Sequence, residues 1–175
     1  MLHIVEKELL AVPQDWCQTV RGLCSEEIGL KAWLEAQEAE CVVFVGDSST
    51  EALGHWSART FGLVSKKNIL GLNEDDILSQ EKPELIKDGR VLVILFSRTG
   101  GRSESLSALE KISTWTSNLT SLCVSARPGV LTKAVDRSFI VEPSEHTGIL
   151  TYTPSRFLVA SICLLYTSPS PRDRG

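Results

Sequence analysis

The chain has 175 residues, of which 42% are hydrophobic and 23% are charged, a composition that excludes an intrinsically disordered protein and fits one globular domain. Its formal net charge of −4 argues against a nucleic-acid-binding surface. The longest apolar run, residues 157–166, is too short to span a bilayer, and the charged segment 1–10 does not have the pattern of a signal peptide. We therefore expect a cytoplasmic protein with neither a membrane nor a nucleic acid as its partner.

The five cysteines are scattered, form no Cys-x-x-Cys pair and are odd in number. This usage fits free thiols in a reducing compartment better than a disulfide framework. His3, His55 and His146 lie far apart, and none belongs to a pair with the spacing of metal ligands. We expect no metal site and no cofactor.

Strand-like and helix-like segments alternate along the chain. The first is an amphipathic helix over about 14–37, in which we expect the rings of Trp16 and Trp33 to pack in the core. Strands are then predicted at residues 41–45, 68–72, 91–96, 119–124 and 138–141. Helices or helical turns are predicted at residues 51–61, 75–79 and 104–116, a loop plus a short helix at 126–136, and a final helix from near Pro154 onward.

This alternation indicates an α/β fold, a doubly wound five-stranded parallel sheet flanked by helices and preceded by the N-terminal helix. A sheet of this kind commonly has the flavodoxin-like order 2-1-3-4-5. Strands one and three are then neighbours at the switch point, and ligands bind in the crevice outside their carboxyl ends.

Two of the predicted strands lead directly into turns rich in glycine and hydroxyl side chains. These turns are residues 46–50, Gly-Asp-Ser-Ser-Thr, and residues 97–105, and each precedes a helix. The unpaired N–H groups and the dipole of a helix N-terminus favour an anion. Either turn alone is explained more simply by helix capping, but two turns at one switch point favour a phosphate or a phosphorylated ligand. Neither turn has the spacing of a Walker loop or of Gly-x-Gly-x-x-Gly.

These turns resemble those of the sugar isomerase (SIS) domain, and in particular those of the tagatose-6-phosphate ketose/aldose isomerases, also described as galactosamine-6-phosphate deaminase/isomerases. That group usually has Gly-Ala-Gly-Thr-Ser in the first turn, and Arg-Ser-Gly-Asn-Ser-Pro-Glu-Ser where residues 98–105 here read Arg-Thr-Gly-Gly-Arg-Ser-Glu-Ser. A third segment, residues 145–153, is similar to the Thr/Ser-rich turn before the last helix of the family. The likeness extends over roughly residues 14–163.

The resemblance implies an SIS phosphosugar-binding domain over residues 1–163, as part of an isomerase or deaminase of amino sugar metabolism that acts on a hexose or hexosamine 6-phosphate. Asp47 and Glu51 depart from the small neutral residues of the family, and carboxylates there would repel a phosphate. Arg102 would offset that repulsion by gripping two phosphate oxygens. The substrate-binding residues carried over from the family are Ser49, Thr50, Ser97, Thr99, Arg102 and Thr153.

Family members carry two such domains, and only the first is recognised here, so we expect a truncated fragment whose full-length parent is a homo-oligomer. The resemblance places the catalytic base and the ring-opening group in the second domain or in a partner subunit. Catalytic residues are therefore not assigned, although Glu104, Glu145 and His146 lie near the predicted site. The alternative function is a non-catalytic phosphosugar sensor. Regulators of that type carry a basic DNA-binding segment before the first strand, and segment 1–40 is not basic.

The composition changes abruptly in residues 164–175, where proline, serine and arginine dominate. A disordered terminal extension would have this composition. The segment also resembles translated sequencing-adapter read-through, and we expect it to be non-native and to contribute nothing to the fold.

Overall fold

The computed structural model describes residues 2–25, 36, 38–46, 48–87, 89–101 and 103–141. The predicted third segment at 145–153, the helix from Pro154 and the tail at 164–175 lie outside the described residues. So do two of the predicted site residues, Arg102 and Thr153.

Five parallel strands form a single sheet in the order β2-β1-β3-β4-β5, which confirms the predicted fold class and strand order. Every residue of the two central strands β1 and β3 is buried, as expected when apolar runs rich in Val, Leu and Ile are covered by helices on both faces. The strands are β1 Cys41–Gly46, β2 Asn68–Asn73, β3 Val91–Ser97, β4 Leu119–Ser125 and β5 Arg137–Ile140.

Helices cover the two faces of the sheet and divide the core in two. They are α1 Leu2–Ser25, α2 Ser48–Val64, α3 Glu74–Ser79, α4 Ser103–Ser113 and α5 Val130–Ala134. On one face, Phe61 of α2 packs edge-on against Phe44, whose ring stacks on Phe96. On the other face, the buried residues of α4 pack together with Ile77 of α3 and with Leu95. Successive strand residues thus point into different cores, as the pleat requires.

The N-terminal helix differs from the prediction in its start and in its buried face. It begins at Leu2 and contains Pro13, which removes one backbone hydrogen bond from the helix interior. Among the side chains of α1 that the structure describes, those of Asp15 and Thr19 are buried, and a Cβ added at Gly22 would lie 3.7 Å from the ring of Phe139 in β5. This face at i, i+4 and i+7 therefore packs toward the sheet.

The expectation that the ring of Trp16 lies in the core is wrong, because 41% of this residue is exposed. Trp16 and Val20 lie on a different side of α1 from Thr19, and the exposed fraction of Val20 is 37%. Trp33 lies outside the described residues.

In the part of the chain that the structure describes, no helix is long and apolar enough to cross a membrane.

Native-state alkylation tests the position of the cysteines relative to the sheet. Cys41 and Cys123 are buried free thiols in β1 and β4, and burial raises the pKa of Cys41 to about 11 and that of Cys123 to about 12. Cys17 is exposed. At about pH 8, iodoacetamide should therefore label Cys17 and spare the two strand thiols, because the thiolate is the reacting species. Peptide mass spectrometry measures the labelled fraction.

The control is the same reaction in denaturant, where all three of these cysteines should react. Labelling of Cys123 in the folded protein at the rate of Cys17 would contradict its place in the core.

Candidate functional site

The two hydroxyl-rich turns leave the sheet at neighbouring points. Strands β1 and β3 pair directly, with Gly46 opposite Phe96 at their carboxyl ends. The first turn of α2 follows β1, and the first turn of α4 follows the loop after β3. Because α2 and α4 pack on opposite faces, their N-termini lie on the two sides of one sheet edge. This is the switch point that the strand order predicts.

Thr50 connects the first of these turns to the neighbouring strand. It is fully buried, and its hydroxyl donates a hydrogen bond to the carbonyl of Phe96 at 3.2 Å. The turn before it is so tight that a Cβ added at Gly46 would overlap the carbonyl of Thr50. The first turn of α2 is thus attached to β3 as well as to β1.

The second turn is packed against the loop that follows β4. Gly100 and Gly101 have φ angles of 81° and 110°, a region that favours glycine. The carbonyl of Gly100 accepts a hydrogen bond from the backbone N–H of Leu131 at 2.8 Å. A Cβ added at Gly100 would lie 2.7 Å from the carbonyl oxygen of Arg127 and equally close to the nitrogen of Gly129. Larger side chains would therefore push the two loops apart.

The structure locates four of the predicted site residues around the carboxyl ends of β1 and β3. Ser49 lies in the first turn of α2, next to the buried Thr50. Ser97 ends β3 and is 5% exposed, whereas Thr99 is exposed in the second turn. The hydroxyl proton of Thr50 is donated to Phe96, so this side chain supports the turn.

The carboxylate of Glu51 is hydrogen-bonded to β2, the strand that lies beside β1 on the side away from β3. Its Oε1 accepts a hydrogen bond from Nδ2 of Asn73 at 3.0 Å and lies 3.8 Å from Nε2 of His55. Asn73 ends β2, and β1 separates β2 from β3. The carboxylate of Glu51 is thus hydrogen-bonded toward β2, while Asp47, the other carboxylate expected to repel a phosphate, lies outside the described residues.

Sequence reasoning missed a polar pair at the end of β2. Asn73 caps α3 by accepting a hydrogen bond from the N–H of Asp76, and Glu74 accepts one from the hydroxyl of Ser105 at 2.5 Å. Glu74 is a carboxylate with only 7% exposure. An Asn before an acidic turn is a recognisable capping signal. The partners of the pair are distant in sequence and carry no local signal.

In the described ranges, no group of three or more His, Cys, Asp or Glu side chains is arranged to hold a metal ion. The described polar groups at this edge are hydroxyls, backbone amides, an amide side chain and three carboxylates, those of Glu51, Glu74 and Glu104, each of which accepts a hydrogen bond. Hydroxyl and amide donors suit an anion rather than a cation.

Comparison with known proteins identifies the fold. No family model matches the chain, and no curated protein matches it in sequence. The tagatose-6-phosphate ketose/aldose isomerase of Escherichia coli is 16% identical, with a TM-score of 0.71, over 93% of this chain and 47% of that one. A Clostridium novyi protein provisionally assigned the same activity is 22% identical, with a TM-score of 0.74, over 92% and 44% of the two chains.

The NanR protein of Vibrio vulnificus, solved in complex with ManNAc-6P, is 11% identical, with a TM-score of 0.60, over 88% of this chain and 58% of that one. The chain has the fold of the sugar isomerase (SIS) domain. It spans less than half the length of the two isomerase chains to which it is similar.

Replacing Thr50 with Val tests whether its hydroxyl joins the first turn to β3. The variant keeps the shape of the side chain but loses the bond to Phe96, so the free energy of unfolding should fall by about 1 kcal/mol. Urea denaturation followed by circular dichroism gives this value.

The matched control is Thr60→Val, because the hydroxyl of Thr60 donates to the carbonyl of Trp56 within α2 at an exposed position. It should change stability by less than about 0.5 kcal/mol. Equal effects of the two substitutions would contradict the bridging role.

Proposed function

We propose that the chain binds the phosphate group of a phosphorylated sugar at the carboxyl ends of β1 and β3. The observation that carries this proposal is the meeting of two helix N-termini, from α2 and α4, at one switch point of a parallel sheet. Each N-terminus offers backbone N–H groups without intrahelical partners, and its dipole favours negative charge. The similarity to phosphosugar proteins of the same fold supports this ligand class.

The second turn supplies side chains of suitable chemistry. Thr99 is exposed there, and Ser97 lies at the end of β3. We propose that the hydroxyl of Thr99 and the guanidinium of Arg102 bind phosphate oxygens, with Ser97 and Ser49 as further hydroxyl donors. Thr153 is proposed as a contact from the third segment. Thr50 contributes by holding the first turn in place.

For the whole protein we propose an aldose–ketose isomerase or deaminase that acts on a hexose or hexosamine 6-phosphate. The similarity to tagatose-6-phosphate isomerases supports this activity. Isomerisation moves a proton between two carbons of the opened sugar and needs a base within reach of that proton. Glu51, Glu74 and Glu104 already accept hydrogen bonds within this chain, so we propose that the base belongs to another part of the parent protein.

The second candidate function is phosphosugar sensing without catalysis. Its support is the structural similarity to NanR, which was solved with ManNAc-6P. Both functions need the same phosphate site and differ in whether chemistry follows binding.

Isothermal titration calorimetry tests the ligand class. Galactosamine 6-phosphate should bind and galactosamine should not, because the proposed contacts of the helix N-termini and Thr99 are with the phosphate group. Thr99→Ala should weaken binding by about 1–3 kcal/mol, the range for a hydrogen bond to a charged group.

The matched control for this substitution is Thr114→Ala, an exposed threonine just beyond the other end of α4, which should leave the affinity unchanged. Equal affinity for the phosphorylated and unphosphorylated sugars would refute a phosphate site.

An activity assay separates binding from catalysis. We expect the 175-residue chain to show no formation of tagatose 6-phosphate and no ammonia release from galactosamine 6-phosphate. A phosphate anchor binds ground state and transition state equally and does not accelerate the chemical step. A recovered full-length homologue is the positive control. Turnover by the 175-residue chain at the rate of the homologue would place the base within this chain.

A further inference from the structure

Two consecutive residues, the last of β2 and the first of α3, bond to the first turns of the two helices that flank the switch point. Asn73 bonds to Glu51 in the first turn of α2, and Glu74 bonds to Ser105 in the first turn of α4. The two helices lie on opposite faces of the sheet. We call Asn73 and Glu74 together the β2 clamp.

Both polar atoms of the Asn73 side-chain amide form hydrogen bonds. Its Oδ1 accepts from the backbone N–H of Asp76 at 2.6 Å, and its Nδ2 donates to Oε1 of Glu51 at 3.0 Å. The first bond caps α3 and leaves Nδ2 directed at α2. The position of Glu51 is therefore tied to the end of β2.

The carboxylate of Glu74 is held on the other face. Glu74 is 7% exposed and Ser105 is 3% exposed, and the hydroxyl of Ser105 donates to Oε1 at 2.5 Å. A buried carboxylate is costly unless it accepts hydrogen bonds, so displacement of Ser105 would be unfavourable. Helix α3 also packs against α4, with Ile77 and Ala108 in one core.

We propose that the β2 clamp is a positioning pair for the anion site and fixes the first turns of α2 and α4 relative to each other. This inference rests on the proposed phosphosugar binding at the same two turns. Donors for an anion must be held to within about half an ångström, and such precision requires a supporting layer of contacts. Thr50 attaches the first turn to β3, and the clamp attaches both turns to β2.

Two substitutions break the two bonds of the clamp separately. Asn73→Asp keeps a good cap for α3 but loses the donor to Glu51 and brings two carboxylates together. Ser105→Ala removes the donor to Glu74 and keeps a good helix former. Each has a matched control in the same element.

For the first substitution the control is Asn68→Asp, at the opposite end of β2, where the side chain donates to the carbonyl of Leu85. For the second it is Ser113→Ala, at the opposite end of α4, where the hydroxyl donates to the carbonyl of Glu110.

Hydrogen–deuterium exchange of the unliganded chain measures positioning without any ligand. Amides 52–55 and 107–110 donate to the carbonyls of the two first turns in the α-helical pattern. Asn73→Asp should speed exchange at 52–55, and Ser105→Ala should speed it at 107–110, each with little change elsewhere. Both should weaken binding of galactosamine 6-phosphate by about three- to tenfold, the equivalent of one net hydrogen bond. The two control variants should match the wild type in both measurements.

A bond that only adds to global stability would lower the melting temperature and leave the affinity of the folded variant at the wild-type value, and that result would overturn the proposal. Wild-type exchange rates in both variants would overturn it as well, while the proposed function would stand if the wild-type chain binds the sugar phosphate. If the wild-type chain does not bind it, the proposed function fails, and with it the role of the clamp in an anion site.

If Ser105→Ala does not fold, Ser105→Thr replaces it and should have the wild-type affinity, because the hydroxyl is retained. A loss of affinity in a folded Ser105→Thr variant equal to that of Asn73→Asp would count against the hydroxyl bond.

Discussion

The structure depends on the adjacency of β1 and β3, the two strands that are buried along their whole length. Because they pair in parallel, their carboxyl ends lie together, and the helices that follow them begin on opposite faces of the same edge. The backbone N–H groups of both first turns, which have no partners within their helices, therefore lie at one edge of the sheet. An anion at that edge would satisfy groups that the fold itself leaves without partners within the helices.

The polar contacts around this edge hold the turns in place. Thr50 bonds across from the first turn to β3, and Gly100 lets the second turn lie against the loop after β4. Asn73 at the end of β2 and Glu74 at the start of α3 bond to both turns. On the proposed function, such contacts would order the donors before a ligand arrives and so reduce the ordering cost of binding.

Much of the fold was predictable because its determinants are local. The strands β1 and β3 are nearly uninterrupted apolar runs, the turns that follow them are rich in Gly, Ser and Thr, and strand alternation with helices leaves few topologies. The buried face of α1 was not predictable, because tertiary packing turned Asp15 and Thr19 inward and left Trp16 exposed. Hydrophobicity alone would have buried Trp16 and Val20 instead.

The site was predictable only in part. The hydroxyl-rich turns are visible as sequence motifs, which is why Ser97 and Thr99 could be named as candidates for the proposed site. The bonds of Glu51 to Asn73 and of Ser105 to Glu74 join residues 22 and 31 positions apart, and no spacing rule connects them. The sequence therefore predicted a repulsive role for Glu51 where the structure bonds its carboxylate to the end of β2.

An NMR titration of the ¹⁵N-labelled chain with a hexose 6-phosphate tests the proposed phosphate site, because it reports which backbone amides meet the ligand. The largest chemical-shift changes should fall on residues 48–51 and 98–105, at the two first turns and the loop before α4. Saturable shifts that cluster elsewhere, or no saturable shifts, would contradict a phosphate site at the carboxyl ends of β1 and β3.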